Sequence, residues 1–203
     1  MKLYYSPNLN PRVAVAVARH LNSPVEYIRA DPRDPRREDA FRPTNPNTLV
    51  PVLVENGQSL WETDAIACRL SDIAGTDFFP QGKLMPERLR WISWGTHHFT
   101  RAGDAFYFEN IIVQKYFPRP PDAKVLAHAA ENFHRFAPVL DEVLASRQWL
   151  VDDRLTYADF RVATALPFAE EAGIPVQGYK NIVKWHDRLN EIDAWRTPFT
   201  GLG

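Results

Sequence analysis

With a single cysteine, Cys68, in 203 residues, the chain can form neither an internal disulfide nor a CxxC redox pair. That scarcity suits a reducing compartment, and the cytoplasm is the expected location. Long apolar runs are also missing: no segment approaches the ~18 uninterrupted apolar residues of a spanning helix, so no membrane association is expected. Charge of one sign is not in excess, since 24 Lys and Arg stand against 25 Asp and Glu. The resulting net charge of -1 gives no general attraction to nucleic acid or to an anionic surface. The opening residues, MKLYY, lack the apolar stretch and cleavage site of a secretory signal and read instead as a strand. His97 and His98 are adjacent but have no carboxylate or cysteine at ligand spacing, so no metal is expected.

What is present divides into two halves. Lys2–Tyr5 reads as a strand, and Asn10-Pro11 as a helix start, with Asn10 as cap and Pro11 in the first turn. Val13, Val17 and Leu21 give that helix an apolar face. Val25–Ile28 alternates like a second strand. Residues 50–54 and 59–61 form two more, joined by Asn56-Gly57, a pair that tolerates positive φ and favours a tight hairpin. Thr63 is expected to cap a helix that starts at Asp64 and stops near Gly75. Beyond residue 76 no convincing strand remains. A long aromatic-rich helix runs from Glu87 to about Lys115, interrupted or bent near Gly95 and Gly103. A second spans Asp122 to about Ser146, its buried stripe comprising Val125, Phe133, Phe136, Val139, Leu140 and Val143. Thr156 and Asp159 form a capping-box variant at the start of a third, and a fourth covers Asn181–Ile192. The expected organisation is an α/β domain over 1–76, a linker over 77–86 and an all-helical bundle over 87–203. Cys68 is expected to be a small buried residue of its helix.

Five segments, in order, resemble the glutathione-transferase superfamily. They are Tyr4-Tyr5-Ser6-Pro7 leading into Asn10-Pro11-Arg12; Phe41 with Asn45-Pro46-Asn47 and Val50-Pro51-Val52-Leu53; Leu60-Trp61-Glu62-Thr63-Asp64-Ala65-Ile66; Leu155-Thr156 with Ala158-Asp159; and Val183, Trp185, Arg188 and Leu189 ahead of Trp195. The resemblance implies a thioredoxin-like first domain that binds glutathione as co-substrate. It implies a cis bond before Pro51, with the Val50 backbone paired to the cysteinyl backbone of the tripeptide. It implies that Thr63 and the helix tip hold the γ-glutamyl carboxylate while Glu62 balances the ammonium group. Arg33, Arg36 or Arg37 would meet the glycyl carboxylate, although that cluster reads equally as a solvated loop.

The residue that favours the thiolate stays open among Asn10, Tyr5 and Ser6. Asn10 falls where serine- or cysteine-type classes carry their catalytic residue, and Tyr5 where tyrosine-type classes do. No cysteine lies near residue 10, which argues against a thiol-disulfide branch. Thr48-Leu49 stands where many relatives place a long polar side chain that touches glutathione. The resemblance further implies a homodimer, and a small, largely apolar electrophile held between the domains near Trp94, His97, His98, Phe106 and Tyr107. A noncatalytic binding or assembly module on the same fold is the alternative. A glutathione-dependent isomerase or dehalogenase is a third reading, lowered by the missing serine-rich signature around residues 8 to 12.

Overall fold

The computed structural model describes residues 1–31, 34 and 38–202, which form two compact units, 1–79 with 192–203 and 80–191. In the first unit the strands β1 (Lys2–Tyr5), β2 (Glu26–Arg29), β3 (Val52–Glu55) and β4 (Gln58–Trp61) make one sheet in the order β2-β1-β3-β4. β1 runs parallel to β2, so the chain must cross over between them, and helix α1 (Leu9–His20) makes that crossing. β3 is antiparallel to both β1 and β4. The β3–β4 turn has positive φ at Asn56 (51°) and Gly57 (78°), as its sequence predicts.

Residues 11–18 of α1 are buried on every side. The Val-Ala alternation over residues 13–18 has the period of a strand, yet the segment is helical. The reason lies in its surroundings: α1 packs on β1, on α3 (Thr63–Ile73) and on the late helix α11 (Asp193–Arg196). Small and β-branched side chains fill those close interfaces, and burial of each valine contributes about 1.5–3 kcal/mol, enough to override a weak local preference. On the opposite face of the sheet, Tyr4 meets Phe41 of α2 (Glu38–Phe41) edge-on at 5.8 Å.

The second unit is helical. One nearly continuous run comprises α4 (Met85–Trp94), a π-helical turn at Gly95–Phe99, α5 (Thr100–Tyr107), a second π-helical turn at Phe108–Val113, and α6 (Gln114–Tyr116). The run is interrupted at Gly95, as expected, where the π-helical turn begins, but it continues unbroken through Gly103, and both glycines serve close packing. A Cβ on Gly103 would lie 2.6 Å from the Ala165 Cβ, and one on Gly95 3.0 Å from Val162 Cγ2. Four more helices follow: α7 (Ala123–Ala145), α8 (Tyr157–Val162), α9 (Ala169–Ala172) and α10 (Lys180–Asn190). Asp122 caps α7 by accepting from the Lys124 and Val125 amides at 2.8 and 3.3 Å. The stripe expected on α7 needs correction. Ala129, Phe133, Ala137, Leu140 and Leu144 are its buried residues, whereas Val125 and Val139 are 40% and 46% exposed.

The capping box of α8 is at the centre of this unit. The buried Asp159 carboxylate accepts from the Thr156 amide (2.9 Å) and hydroxyl (3.2 Å), the Leu150 amide (3.0 Å) and Trp185 Nε1 (3.1 Å). Full burial nevertheless pushes its pKa up to about 6, with the four donors opposing the rise. Among the described residues no helix is long and apolar enough to cross a membrane, and no group of three His, Cys, Asp or Glu is placed to hold a metal ion. Cys68 is half-buried rather than enclosed.

Candidate functional site

Strand register brings the sequence-predicted residues together. Val52 at the head of β3 pairs with Tyr4 on one side and with Trp61 on the other. Because β3 runs antiparallel to both neighbours, its beginning lies beside their ends. Ser6 leaves β1, Val50-Pro51 enters β3 and Glu62-Thr63 leaves β4 at the same end of the sheet. Two helices, α1 and α3, start within four residues of the ends of β1 and β4 respectively, so their positive ends collect there too.

The two helix starts differ slightly from expectation. Asn8, with an extended backbone, precedes the first residue of α1, so Asn10 is the helix's second residue and not its cap. Asn10 is exposed, and no acidic residue stands in the first turn of α1 to offset its dipole. Ser6 is half-buried, and its Oγ accepts from Asn8 Nδ2 at 3.2 Å. Thr63 is likewise the first residue of α3, with Glu62 in the position before it. The buried Thr63 hydroxyl donates to the backbone carbonyl of Asn10 at 3.3 Å, which fastens the opening turns of α1 and α3 to each other.

Tyr5 points the other way. It is 3% exposed, stacked on Phe199 at 5.6 Å and edge-on to Tyr27 at 6.5 Å. It therefore belongs to the core of the first unit, while Asn10 and Ser6 reach the surface.

The approach to Pro51 is tightly held. The Val50–Pro51 peptide is cis, as expected. Asn45 Nδ2 donates to the Leu49 carbonyl at 2.8 Å, and its Oδ1 accepts from the Asn47 amide at 3.0 Å. Thr48 has φ 51° and donates its amide to the Asn45 carbonyl at 2.8 Å. This bracing role of Asn45 was not anticipated. An Asn-Pro-Asn run with side-chain turn chemistry is the signal that would have found it. Glu62 is exposed at φ 73°, a conformation costing a non-glycine residue about 1–3 kcal/mol. Arg33, Arg36 and Arg37 lie outside the described residues.

Arg12 was not anticipated as a buried group. Its guanidinium lies 4.6 Å over the Trp195 ring and donates through Nη2 to the Trp195 carbonyl. Nη1 is buried without a partner among the described residues, and burial lowers the Arg12 pKa to about 10. In the second unit, Trp94 and His98 meet at 6.3 Å and His98 stacks on Phe136 at 4.4 Å. Phe106 and Tyr107 are core residues, and His97 is exposed.

Comparison with known proteins agrees with this architecture. Residues 1–69 match the family described as "Glutathione S-transferase, N-terminal domain", and residues 105–193 match "Glutathione S-transferase, C-terminal domain". The chain is 29% identical over 185 residues to glutathione S-transferase 3 of Zea mays, covering 88% of this chain and 82% of that protein. The structure of glutathione transferase F2 from Populus trichocarpa superposes with a TM-score of 0.89 at 16% identity, covering 98% of this chain and 97% of the other. Ure2p in complex with glutathione superposes with a TM-score of 0.81 at 20% identity, over 97% and 96% of the two chains.

Proposed function

Since the chain belongs to the glutathione S-transferase superfamily, we propose that it binds glutathione where Ser6, Pro51 and Glu62 converge and adds the tripeptide's thiolate to a small, largely apolar electrophile. The register at Val52 carries this reading, because it gathers two helix starts and an unladdered backbone segment at one end of one sheet. Val50, ahead of the ladder, offers its N–H and C=O to the cysteinyl backbone as an added strand would. The α3 tip takes the γ-glutamyl carboxylate on its first-turn amides. Thr63 acts there through its backbone, since its hydroxyl is engaged with Asn10, and Glu62 balances the ammonium group. Arg37 is assigned to the glycyl carboxylate on the family resemblance alone.

A free thiol with pKa about 8.5 is only a few per cent thiolate at pH 7. Lowering that value by two units takes roughly 2.7 kcal/mol of preferential thiolate stabilisation. The positive end of α1, with no first-turn acid, supplies part of this. The exposed Asn10 amide supplies a donor that does not itself ionise, Ser6 is second, and the buried Tyr5 third. The thiol proton leaves to solvent, and the sulfur lone pair forms the new C–S bond as the electrophile accepts the displaced electrons. The protein acts as a homodimer in the cytoplasm; the resemblance to dimeric relatives and the lone Cys68 support these two points.

Calorimetric titration with reduced glutathione tests the reading. One site per chain is expected, and absence of binding at millimolar glutathione overturns it. A single-chain mass by sedimentation at micromolar concentration would remove the homodimer. A second reading, binding without turnover, draws on the apolar, 41% exposed Leu49 where a polar contact is usual and on the lack of an ionisable group at Asn10. Retained glutathione with no conjugation across a varied panel of electrophiles would favour it.

A further inference from the structure

A cavity of about 360 Å³ lies wholly within the second unit, between the end of α7 and one face of α10. Arg147, Lys184 and Arg188 line it against one carboxylate, Asp153, and only Leu144 and Ala145 among the lining residues are apolar. This imbalance is local, since the chain as a whole carries a net charge of -1.

The charges are not equally available. Arg147 is paired with Glu87 at 3.2 Å and donates to the Leu150 carbonyl at 3.1 Å. Asp153 is committed to the loop, because its Oδ1 accepts from the Gln148 and Trp149 amides at 2.6 and 3.2 Å. Arg188 lies 5.8 Å over the Trp149 ring and spends one nitrogen on the Gln148 carbonyl at 3.1 Å, but its buried Nε has no partner among the described residues. Lys184 is exposed and makes no ion pair or hydrogen bond among the described residues. Two cations thus face the cavity with charge uncompensated. They stand four positions apart on α10, which places them as neighbours on one helix face.

The lining residue Asp153 and its neighbour Asp152 are held in an uncommon conformation. Asp152 and Asp153 are consecutive non-glycine residues with φ of 54° and 46°. Each costs about 1–3 kcal/mol, and such outliers concentrate at ligand clamps. A structural reading assigns the arginines to the negative end of α7. That reading explains the bonds to Gln148 and Leu150 but leaves Lys184 and Arg188 Nε without work.

We infer that this cavity is a binding site for a phosphate monoester, separate from the glutathione site and independent of that assignment. A phosphoryl group carries close to two negative charges at pH 7 on a single centre. Neighbouring ammonium and guanidinium groups converge on such a centre better than on two separated carboxylates. The volume leaves space for a small organic remainder against Leu144 and Ala145.

The test is calorimetry on the full chain with inorganic phosphate and with phenyl phosphate, beside succinate and sodium chloride at matched ionic strength. Both phosphates should bind at one site per chain, more tightly than succinate, with chloride giving no saturable heat. Lys184→Gln should weaken both by about tenfold, as loss of one charge-assisted contact implies, and leave the thermal melt unchanged because Lys184 is exposed. Arg188→Gln should weaken them further, its melt being recorded alongside to separate loss of fold from loss of site. Equal phosphate affinity in Lys184→Gln, succinate binding as tightly as phosphate, or chloride reproducing the heats would each overturn the assignment.

Discussion

The Thr63 hydroxyl donates to the carbonyl oxygen of Asn10 across 53 positions of chain, at 3.3 Å. One side-chain bond therefore sets the spacing between the helix start proposed to hold a carboxylate and the helix start proposed to hold a thiolate.

Thr63→Val keeps the shape and removes the donor to the Asn10 carbonyl. A loss of about 1–2 kcal/mol in unfolding free energy is expected, together with a severalfold weaker glutathione affinity. Thr63→Ser should restore most of both. Urea melts and calorimetry on the pair of variants check this; an affinity that follows stability in neither variant would disconnect the bond from the site.

Asn10→Ala removes an exposed donor without disturbing a helix cap, since Asn8 precedes the helix. The bound thiol should titrate about one pKa unit higher, equivalent to roughly 1.4 kcal/mol, with glutathione affinity changed little. Ultraviolet titration of the bound thiolate reads the shift. A thiolate curve unmoved in Asn10→Ala but moved in Ser6→Ala would transfer the role to Ser6.

Asp159 gives a pH signature of its own. Its folded pKa of about 6 lies above the value of an exposed aspartate, so the folded state binds the proton more tightly than the unfolded state. The stability contributed by this group is full below about pH 3.8 and is lost as the pH rises through about 6. Asp159→Asn is expected to be destabilised at every pH, because its amide NH₂ would face donors. Its deficit relative to the parent should shrink between about pH 4 and pH 6. Paired denaturant melts across that range test the slope, and a deficit that widens with pH would contradict it.

Gly103→Ala should cost about 1–3 kcal/mol by forcing apart a contact in which the added methyl stands 2.6 Å from Ala165 Cβ. Gly178→Ala is the control, since nothing lies within 4 Å of its added Cβ. Similar melting temperatures for the two variants would show that the helices separate without cost.

Local chemistry made much of the fold legible. Asn56-Gly57 announced the hairpin, and Thr156 with Asp159 announced the capping box, because both depend on residues a few positions apart. The α/β first half and the helical second half were readable from such patterns, whereas the segments bearing Val50, Pro51, Glu62 and Thr63 were singled out by their resemblance to the glutathione-transferase superfamily. What escaped depends on distant partners. The helix opened by Asn10-Pro11 was expected to bury one apolar face, yet residues 11–18 are buried all round because β1, α3 and α11 enclose them. Gly103 looked like an interruption because the sequence does not reveal that Ala165 presses against it. Val125 and Val139 were assigned to a buried stripe because hydropathy alone cannot separate a core valine from a surface one. The burial of Tyr5 also escaped, because the sequence does not reveal that Phe199, distant along the chain, stacks on it.

The stacking of Arg12 on Trp195 has a consequence for biosynthesis. Residues 192–203 complete the unit that residues 1–79 begin, so that unit is discontinuous along the chain. During translation the helical unit, contiguous over 80–191, has its full complement of residues first. The amino-terminal segment, although made earlier, must wait with Arg12 and the underside of α1 uncovered until residues 192–203 emerge from the ribosome.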